Sequence, residues 1–153
     1  MAANGKDFEQ VTRVIFQRLC EQFGFERVEG SQRYPARDSG VKRQVDVTAY
    51  SIDGKQIIIE CKLHKGPVDI NYIDAFYTVI HTDVGADGGI MVSSRNFTAG
   101  ALRSAQAKKI DLAILNEDAT EHDFILRIND LVFGGVSRDI SGRFILVDCA
   151  VSK

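Results

Sequence analysis

The sequence predicts an α/β fold, with a central mixed β-sheet flanked by helices on both faces. Its 153 residues are enough for one domain with a substantial hydrophobic core. Stretches with an apolar residue at every third or fourth position alternate along the chain with shorter stretches rich in β-branched residues. This alternation is typical of sheets that are covered by helices. We therefore expect residues 1–153 to form a single domain.

Composition and charge exclude several classes of protein. The chain is 44% hydrophobic and 26% charged, as ordinary globular domains are. No apolar run is long enough to span a bilayer and the N-terminus has no apolar signal core, so we expect a cytoplasmic protein without a membrane partner. The cysteines lie far apart without a C-x-x-C pair, which favours free thiols over a zinc site; they are Cys20, Cys61 and Cys149.

The first predicted element is a helix over about residues 7–22, which Gly24 ends. Residues 24–29 are expected to start a short strand, and residues 30–43 to form a polar, basic loop. The helix is predicted from one apolar stripe with spacings of three and four, formed by Phe8, Val11, Ile15, Leu19 and Phe23.

Two strands are predicted next, Val45–Ser51 and Gln56–Lys62, joined by a turn at residues 52–55. A second amphipathic helix is expected over residues 69–81, with one apolar face made of Ile73, Phe76, Tyr77 and Ile80. The remaining predicted elements are a strand Gly89–Ser93, a helix from the N-cap Thr98 to Lys109, a strand Asp111–Leu115, a helix over residues 119–131 and a strand Arg143–Val151.

The register of the two central strands follows from their apolar rows. A one-residue slip would turn charged side chains into the core, so the row Val45, Val47, Ala49 must share a face with the row Ile57, Ile59, Cys61. A two-residue turn would place Asp46 opposite Cys61, against this requirement. We predict instead a three-residue loop with a left-handed Gly54, which pairs Ser51 with Lys55 and places Asp46 opposite Glu60.

In this register Asp46, Glu60 and Lys62 lie side by side. Two neighbouring carboxylates repel each other and resist ionising unless a cation is present. Mg²⁺ prefers carboxylate oxygens and keeps several waters, one of which it can activate for attack. Lys62 could orient that water or neutralise charge on a phosphate. The set suits hydrolysis of phosphodiester bonds.

The pattern Val45-Asp46-Val47, followed by Ile58-Ile59-Glu60-Cys61-Lys62, resembles the core of the PD-(D/E)XK nuclease superfamily. More narrowly it resembles the Mrr-type restriction endonuclease catalytic domain, which opens with a helix bearing Phe-Glu, here Phe8-Glu9. The resemblance covers about residues 7–115. Two positions differ: Val45 stands where the superfamily's name has proline, and Glu60 stands where many Mrr-type domains have glutamine.

The resemblance implies a restriction-endonuclease-like fold and a Mg²⁺-dependent DNA endonuclease in which Mn²⁺ can substitute. It implies that Asp46 and Glu60 bind the metal, that Lys62 is the catalytic lysine, and that the helix acid Glu9 supports the metal or its water. A homodimer would let two sites reach both DNA strands. Archaeal Holliday-junction resolvases share the same skeleton, and a non-catalytic nucleic-acid-binding module of the same fold is the remaining alternative.

Basic residues suggest where nucleic acid would bind, although the net charge of the chain is −2. Cations of the predicted basic loop would supply salt-sensitive phosphate contacts. The Ser94 hydroxyl, at the end of a predicted strand, could contact phosphate as well. The residues expected to contact DNA are Arg33, Arg37, Lys42, Arg43 and Ser94.

Overall fold

A mixed sheet organises the fold, as the sequence predicts. The computed structural model describes residues 4–121, 124, 126–130 and 142–143. Within these residues the elements are, in chain order, α1 (Gly5–Arg18), α2 (Cys20–Phe23), β1 (Phe25–Glu29), β2 (Gln32–Pro35), β3 (Lys42–Val45), β4 (Val47–Ser51), β5 (Gln56–Lys62), α3 (Ile70–Thr78), a π-helical segment (Val79–Val84), β6 (Gly88–Ser93), α4 (Ala99–Lys108), β7 (Asp111–Leu115), β8 (Leu126–Asp130) and β9 (Gly142–Arg143).

Seven strands form the main sheet in the order β1-β4-β5-β6-β7-β8-β9. The pairs β5–β6 and β6–β7 are parallel, because a helix on one face connects each pair, and the other pairs are antiparallel. Among the described residues, strands β2 and β3 pair only with each other. The mixed α/β sheet is therefore confirmed.

The sheet separates two hydrophobic cores. One lies between the sheet and α1, where Phe8, Ile15 and Phe16 meet Ile57 and Ile59. The other lies under α3 and α4, and includes Ile58, Ile73, Phe76, Met91 and Ala101. The alternation along β5 sends its neighbouring isoleucines to opposite cores, so this strand is buried on both faces. Helices thus cover both faces of the sheet, as predicted.

The N-terminal helix differs from its prediction at both ends. The Asn4 side chain accepts a hydrogen bond from the Asp7 N–H at 2.9 Å, and this cap starts α1 two residues early. The helix is interrupted at Leu19, whose backbone leaves the helical region at φ −105° and ψ 19°. The single predicted helix is therefore two, and Gly24 ends the second with φ +75°.

Residues 30–43 are not the loop that the sequence predicts. They contain β2 and the first half of β3, which pair as an antiparallel hairpin. Strand β2 alternates between half-buried and exposed positions, but its half-buried positions are filled by Gln32 and Tyr34, and β3 is exposed up to Val45. This polar composition hides the two-residue period that would have indicated a strand.

The second amphipathic helix is shorter than predicted and continues as the π-helical segment, which Gly85 ends with φ +73°. Ile73, Phe76 and Ile80 are buried as expected. Tyr77 is 36% exposed, so its assignment to the apolar face is wrong. The helix from Thr98 is confirmed, with the threonine hydroxyl accepting the Ala101 N–H at 3.1 Å.

Of the two C-terminal predictions, one is wrong and the other lies largely outside the described residues. Residues 119–131 were expected to be helical, but β8 pairs with β7. The apolar and polar residues in Leu126-Arg127-Ile128-Asn129 alternate, and pairing with an available strand edge decides between two possible periods. Of the predicted strand Arg143–Val151 only Arg143 lies within the described residues, and Cys149 lies outside them. Cys20 and Cys61 are free.

The predicted central register is confirmed. The Ser51 N–H donates to the Lys55 carbonyl at 2.9 Å, and the Gly54 N–H donates to the Ser51 carbonyl at 3.0 Å. Gly54 has φ +88°, the left-handed conformation that the three-residue loop requires. Along the strands Val47 pairs with Ile59, and continuing this register by one residue faces Asp46 toward Glu60. The ladder itself ends at Val47, since Asp46 lies in a bend.

One side chain of the predicted apolar row is on the other face. Val47 and Ala49 pack into the core under α1, whereas Val45 packs into the core under α3 together with Ile58. The reason is a bend at Asp46, where the chain leaves the β2–β3 hairpin and enters the main sheet. None of the helices in the described ranges has the length and apolar character needed to cross a membrane.

Candidate active site

The bend at Asp46 and the end of β5 form the centre of the candidate site. Glu60 and Lys62 are the fifth and seventh residues of β5 and lie on the same side of the strand. Asp46 reaches them from the start of β4, because its Oδ2 accepts a hydrogen bond from the Cys61 N–H at 2.9 Å. This bond fixes the carboxylate against the strand that carries the other two groups.

Lys62 is held between a carboxylate and an aromatic ring. Its Nζ lies 3.1 Å from Glu60 Oε2 and 5.2 Å from the centre of the Tyr72 ring. The Tyr72 hydroxyl lies 3.1 Å from His64 Nε2, and His64 Nδ1 lies 3.1 Å from the Gly66 carbonyl oxygen. Since a carbonyl only accepts, the His64 ring donates through Nδ1, and its Nε2 is within hydrogen-bonding distance of the Tyr72 hydroxyl. The Lys62 side chain therefore lies near an aromatic ring whose hydroxyl contacts His64.

Glu9 of α1 joins the same group of charges. Burial is the main cause that raises its pKa, and the charge of Asp46, a hydrogen bond shared with Asp46 and the charge of Glu60 raise it further. The same hydrogen bond lowers the pKa of Asp46. Helix α1 thus brings a third carboxyl group to the site, one that the sequence predicts only through family resemblance.

The other two carboxyl groups also resist ionisation. Burial raises the pKa of Asp46, against the Cys61 N–H and the charge of Lys62, which lower it. Burial raises the pKa of Glu60 as well; Lys62 lowers it and the charge of Asp46 raises it. The structure therefore brings Glu9, Asp46, Glu60 and Lys62 together, with three acids to one base.

The donor set fits a hard divalent cation. Asp46 and Glu60 offer carboxylate oxygens that desolvation and mutual repulsion leave in need of positive charge. No group of three or more His, Cys, Asp or Glu side chains that could hold a metal occurs within the described part of the chain. Mg²⁺ is compatible with a pair, since it is usually bound by one or two carboxylates and completes its shell with water and substrate oxygens.

A cleft of about 410 Å³ opens beside Asp46. One wall is α1, and the opposite wall is the chain that leads into and out of the β2–β3 hairpin. Apart from the site residues Glu9 and Asp46, the cleft is lined by Lys6, Gln10, Arg13, Gly30, Ser31 and Gln44. A substrate can therefore approach the carboxylates from this side.

The hairpin residues predicted to contact DNA fall into two pairs. Arg33 is opposite Gln44, which lines the cleft, and Lys42 is two residues before Gln44, so both basic residues lie on the cleft-facing side of the hairpin. Both are exposed. Their positions are compatible with the predicted phosphate contacts.

Arg37 and Arg43 instead attach the hairpin to the π-helical segment. The Arg37 guanidinium donates to the carbonyls of His81 and Thr82. Arg43 Nε lies 2.8 Å from Oδ2 of Asp83, whose side chain is only 4% exposed. These two cations are engaged with the protein itself.

Ser94 fixes the segment that follows Lys62. Its hydroxyl accepts the His64 N–H at 2.9 Å and lies 3.1 Å from the His64 carbonyl, to which it donates. The Arg95 Nε donates to the same carbonyl at 3.3 Å. The hydroxyl predicted to meet phosphate therefore bonds to backbone that lies two residues after Lys62.

Sequence reasoning missed several residues of the site. Lys6, Gln10 and Arg13 share the cleft face of α1 with Glu9, and their helical spacing was a signal that could have found them. Tyr72 gave no such signal, because it lies in the first turn of α3 and reaches Lys62 only through the fold.

Comparison with known protein families identifies the chain. A family model described as Mrr_cat, restriction endonuclease, matches residues 1–118. The chain belongs to the Mrr_cat restriction endonuclease family. The predicted PD-(D/E)XK resemblance is thereby confirmed, and this Mrr_cat domain is of the restriction-endonuclease-like nuclease type. No curated protein matches the sequence.

Solved structures share the fold of this Mrr_cat domain. One is a protein of unknown function, AF1548, with 26% identity and a TM-score of 0.56 over 68% of this chain. Another is the protein VC1899 from Vibrio cholerae, with 20% identity and a TM-score of 0.55 over 77% of this chain. The matched regions span 56% of the first protein and 31% of the second. The chain thus corresponds to about half or less of these larger proteins.

Proposed function

We propose that this Mrr_cat domain is a Mg²⁺-dependent endonuclease of the restriction or defence type that hydrolyses phosphodiester bonds in DNA. The observation that carries the proposal is the hydrogen bond from the Cys61 N–H that holds Asp46 beside Glu60, with the Lys62 ammonium 3.1 Å from the Glu60 carboxylate. An intact set of two acids and a lysine is suited to phosphodiester hydrolysis, and the family is one of nucleases.

Asp46 and Glu60 would hold the metal, with Mn²⁺ able to replace Mg²⁺. When bound, a divalent cation lowers the pKa of a coordinated water and withdraws charge from the phosphate. The Cys61 N–H keeps the Asp46 carboxylate oriented by binding one of its oxygens. Asp46 lies at the bend before β4 and Glu60 lies in the neighbouring strand β5, so the buried sheet would hold the geometry without reorganisation during the reaction.

Lys62 would neutralise the charge that develops on the phosphate during attack. Its ammonium is close to Glu60 before substrate binds, and a flexible four-carbon stem lets it turn toward a phosphate oxygen. The Tyr72 ring limits where that stem can go. Glu9 would hold a proton or a water beside Asp46, as its shared hydrogen bond suggests.

DNA is the proposed substrate because a basic hairpin borders the cleft. Arg33 and Lys42 would contact phosphates from the side opposite α1, and such contacts depend strongly on salt. Cutting both strands of a duplex needs two sites, so we propose that the protein works as a homodimer on DNA. Sedimentation of the purified protein would test the dimer.

A cleavage assay tests the proposal with matched controls. Wild type is incubated with supercoiled plasmid, linear duplex and a four-way junction in Mg²⁺, Mn²⁺ or EDTA. Glu60→Gln and Lys62→Met remove the two site residues. Glu21→Gln and Lys55→Met make the same chemical changes at exposed positions away from the site.

We expect metal-dependent cleavage by wild type and both controls, and a fall of about 100-fold or more in each site variant. Equal cleavage by Glu60→Gln would contradict the mechanism. Cleavage confined to the four-way junction would instead indicate a resolvase. DNA binding without cleavage in either metal would indicate a non-catalytic module.

A further inference from the structure

The exposed face of α1 carries a row of polar side chains along the cleft. Lys6, Glu9, Gln10 and Arg13 all line it, and their spacings of three and four residues place them on one side of the helix. Glu9, near the middle of the row, belongs to the acidic site. The two ends of the row are therefore positive and its centre is negative.

Both cations of the row are available to a ligand. In the described part of the chain neither Lys6 nor Arg13 lies within 4.0 Å of a carboxylate oxygen. The Arg13 Nη1 donates to Gln17 Oε1 at 3.1 Å, which occupies one of its five N–H groups. The stem of Arg13 packs against Gly30, where a Cβ would lie 3.1 Å from Arg13 Cδ. A glycine backbone thus makes room for the arginine at the cleft edge.

The spacing of the two cations matches a nucleic-acid backbone. Seven residues of α-helix separate them, which is roughly 10 Å along the axis. A DNA strand carries one phosphate per nucleotide, each about 3.4 Å further along the duplex axis, so cations this far apart can contact different phosphates of one strand. A strand lying along α1 would place one phosphate at the carboxylates and other phosphates near each cation.

We propose that this face of α1 binds the backbone of the DNA strand that is cut, with Lys6 and Arg13 contacting phosphates on either side of the one at Asp46. The inference rests on the proposed nuclease function. Gln10 from the same helix, and Ser31 and Gln44 from the opposite wall, provide neutral hydrogen-bonding groups between the two cations. The row positions the strand so that attack occurs at one phosphodiester bond.

A binding experiment in which salt is varied tests the inference separately from cleavage. The Kd of a fluorescent 20-base-pair duplex is measured by anisotropy in Ca²⁺ over a range of salt concentrations, with a denaturing gel to confirm intact DNA. The variants are Lys6→Gln, Arg13→Gln and the double variant. Lys55→Gln and Arg103→Gln are controls, since they remove exposed cations at the β4–β5 turn and on α4. Thermal melting confirms that all variants fold.

We expect the slope of log Kd against log salt to fall by about 0.9 for each cleft variant and about 1.8 for the double variant. The controls should keep the wild-type slope. An unchanged slope in the double variant would overturn the inference even if wild type cleaves DNA. Conversely, wild type could bind DNA without cutting it while the double variant shows a reduced slope. That result would support the inference while the nuclease proposal fails. Absence of DNA binding by wild type would overturn both.

Discussion

Three carboxyl groups and one lysine meet at the end of β5, and this imbalance of charge dominates the residue scale. Burial raises the pKa of Glu9, Asp46 and Glu60, the charge of Asp46 raises the pKa of Glu9 and Glu60 further, and Lys62 is the cation that opposes the shift at Asp46 and Glu60. The fold therefore favours added positive charge, from a proton or a metal ion, at this position. Substrate binding would add more negative charge, which a divalent cation offsets.

The first prediction concerns pH. A carboxyl group whose pKa is higher in the folded than in the unfolded state contributes stability below its unfolded pKa, and this contribution is lost as pH rises through the folded pKa. Glu9 follows this sign, so in EDTA Glu9→Gln should gain stability relative to wild type as pH rises above about 4.5. Urea denaturation of both proteins between pH 4 and pH 8 measures the difference. A difference that is constant with pH would contradict the shift.

The second prediction concerns metal binding. Mg²⁺ or Mn²⁺ should raise the melting temperature, because a ligand that binds only the folded state stabilises it by about 2.7 kcal/mol at a hundred times its Kd. Asp46→Asn should lose most of this effect, since it removes one of the two proposed ligands. Lys62→Met should keep or enlarge it, because the ammonium competes for Glu60. Equal stabilisation of Asp46→Asn by both metals would place the ion elsewhere.

The acids and the lysine were predictable from sequence because two local constraints agree on them. The alternation along β5 and the left-handed Gly54 both select the register that faces Asp46 with Glu60. Tyr72 and the hydrogen bond from the Cys61 N–H were not predictable. They depend on how a helix and a bend approach the strand in three dimensions, which no local spacing encodes.

At the scale of elements, the attachment of the β2–β3 hairpin decides how its cations are used. Arg43 forms an ion pair with a nearly buried Asp83, whereas Arg33 is on the other side of the hairpin and is exposed. A buried carboxylate that loses its partner is strongly destabilised. The two arginines should therefore respond differently to the same substitution.

The third prediction separates these two roles. Arg43→Gln should lower the free energy of unfolding by about 2 kcal/mol, because Asp83 stays buried without its cation. Arg33→Gln should change stability little but weaken DNA binding. Urea denaturation and anisotropy measure the two effects, and Asp83→Asn in the Arg43→Gln background should recover part of the loss. Equal destabilisation by both arginine variants would contradict the structural role of Arg43.

Elements were predictable where hydrophobic period and end signals agree. The strand Asp111–Leu115 and the helix capped by Thr98 have both and were found with little error. The β2–β3 hairpin was missed because polar residues occupy its half-buried positions. The segment that contains β8 is predicted as a helix because a local sequence pattern holds no information about a strand that is available for pairing, such as β7.

At the scale of the whole molecule, the mixed sheet could be predicted because helices alternate with strands in the middle of the chain. Two helix-connected strand pairs, β5–β6 and β6–β7, must be parallel, and the hairpins around them must be antiparallel. The order of strands follows largely from these connections. The separate two-stranded ribbon does not, since it depends on the bend at Asp46.

The bend also ties the reactive centre to the interior on both sides. Val45 packs in one hydrophobic core and Val47 packs in the other, so Asp46 between them is held from both sides of the sheet. Weaker packing of either valine would displace the Asp46 carboxylate. Substitutions that repack either core should therefore disturb the same carboxylate. The proposed activity would then depend on how well both cores are packed.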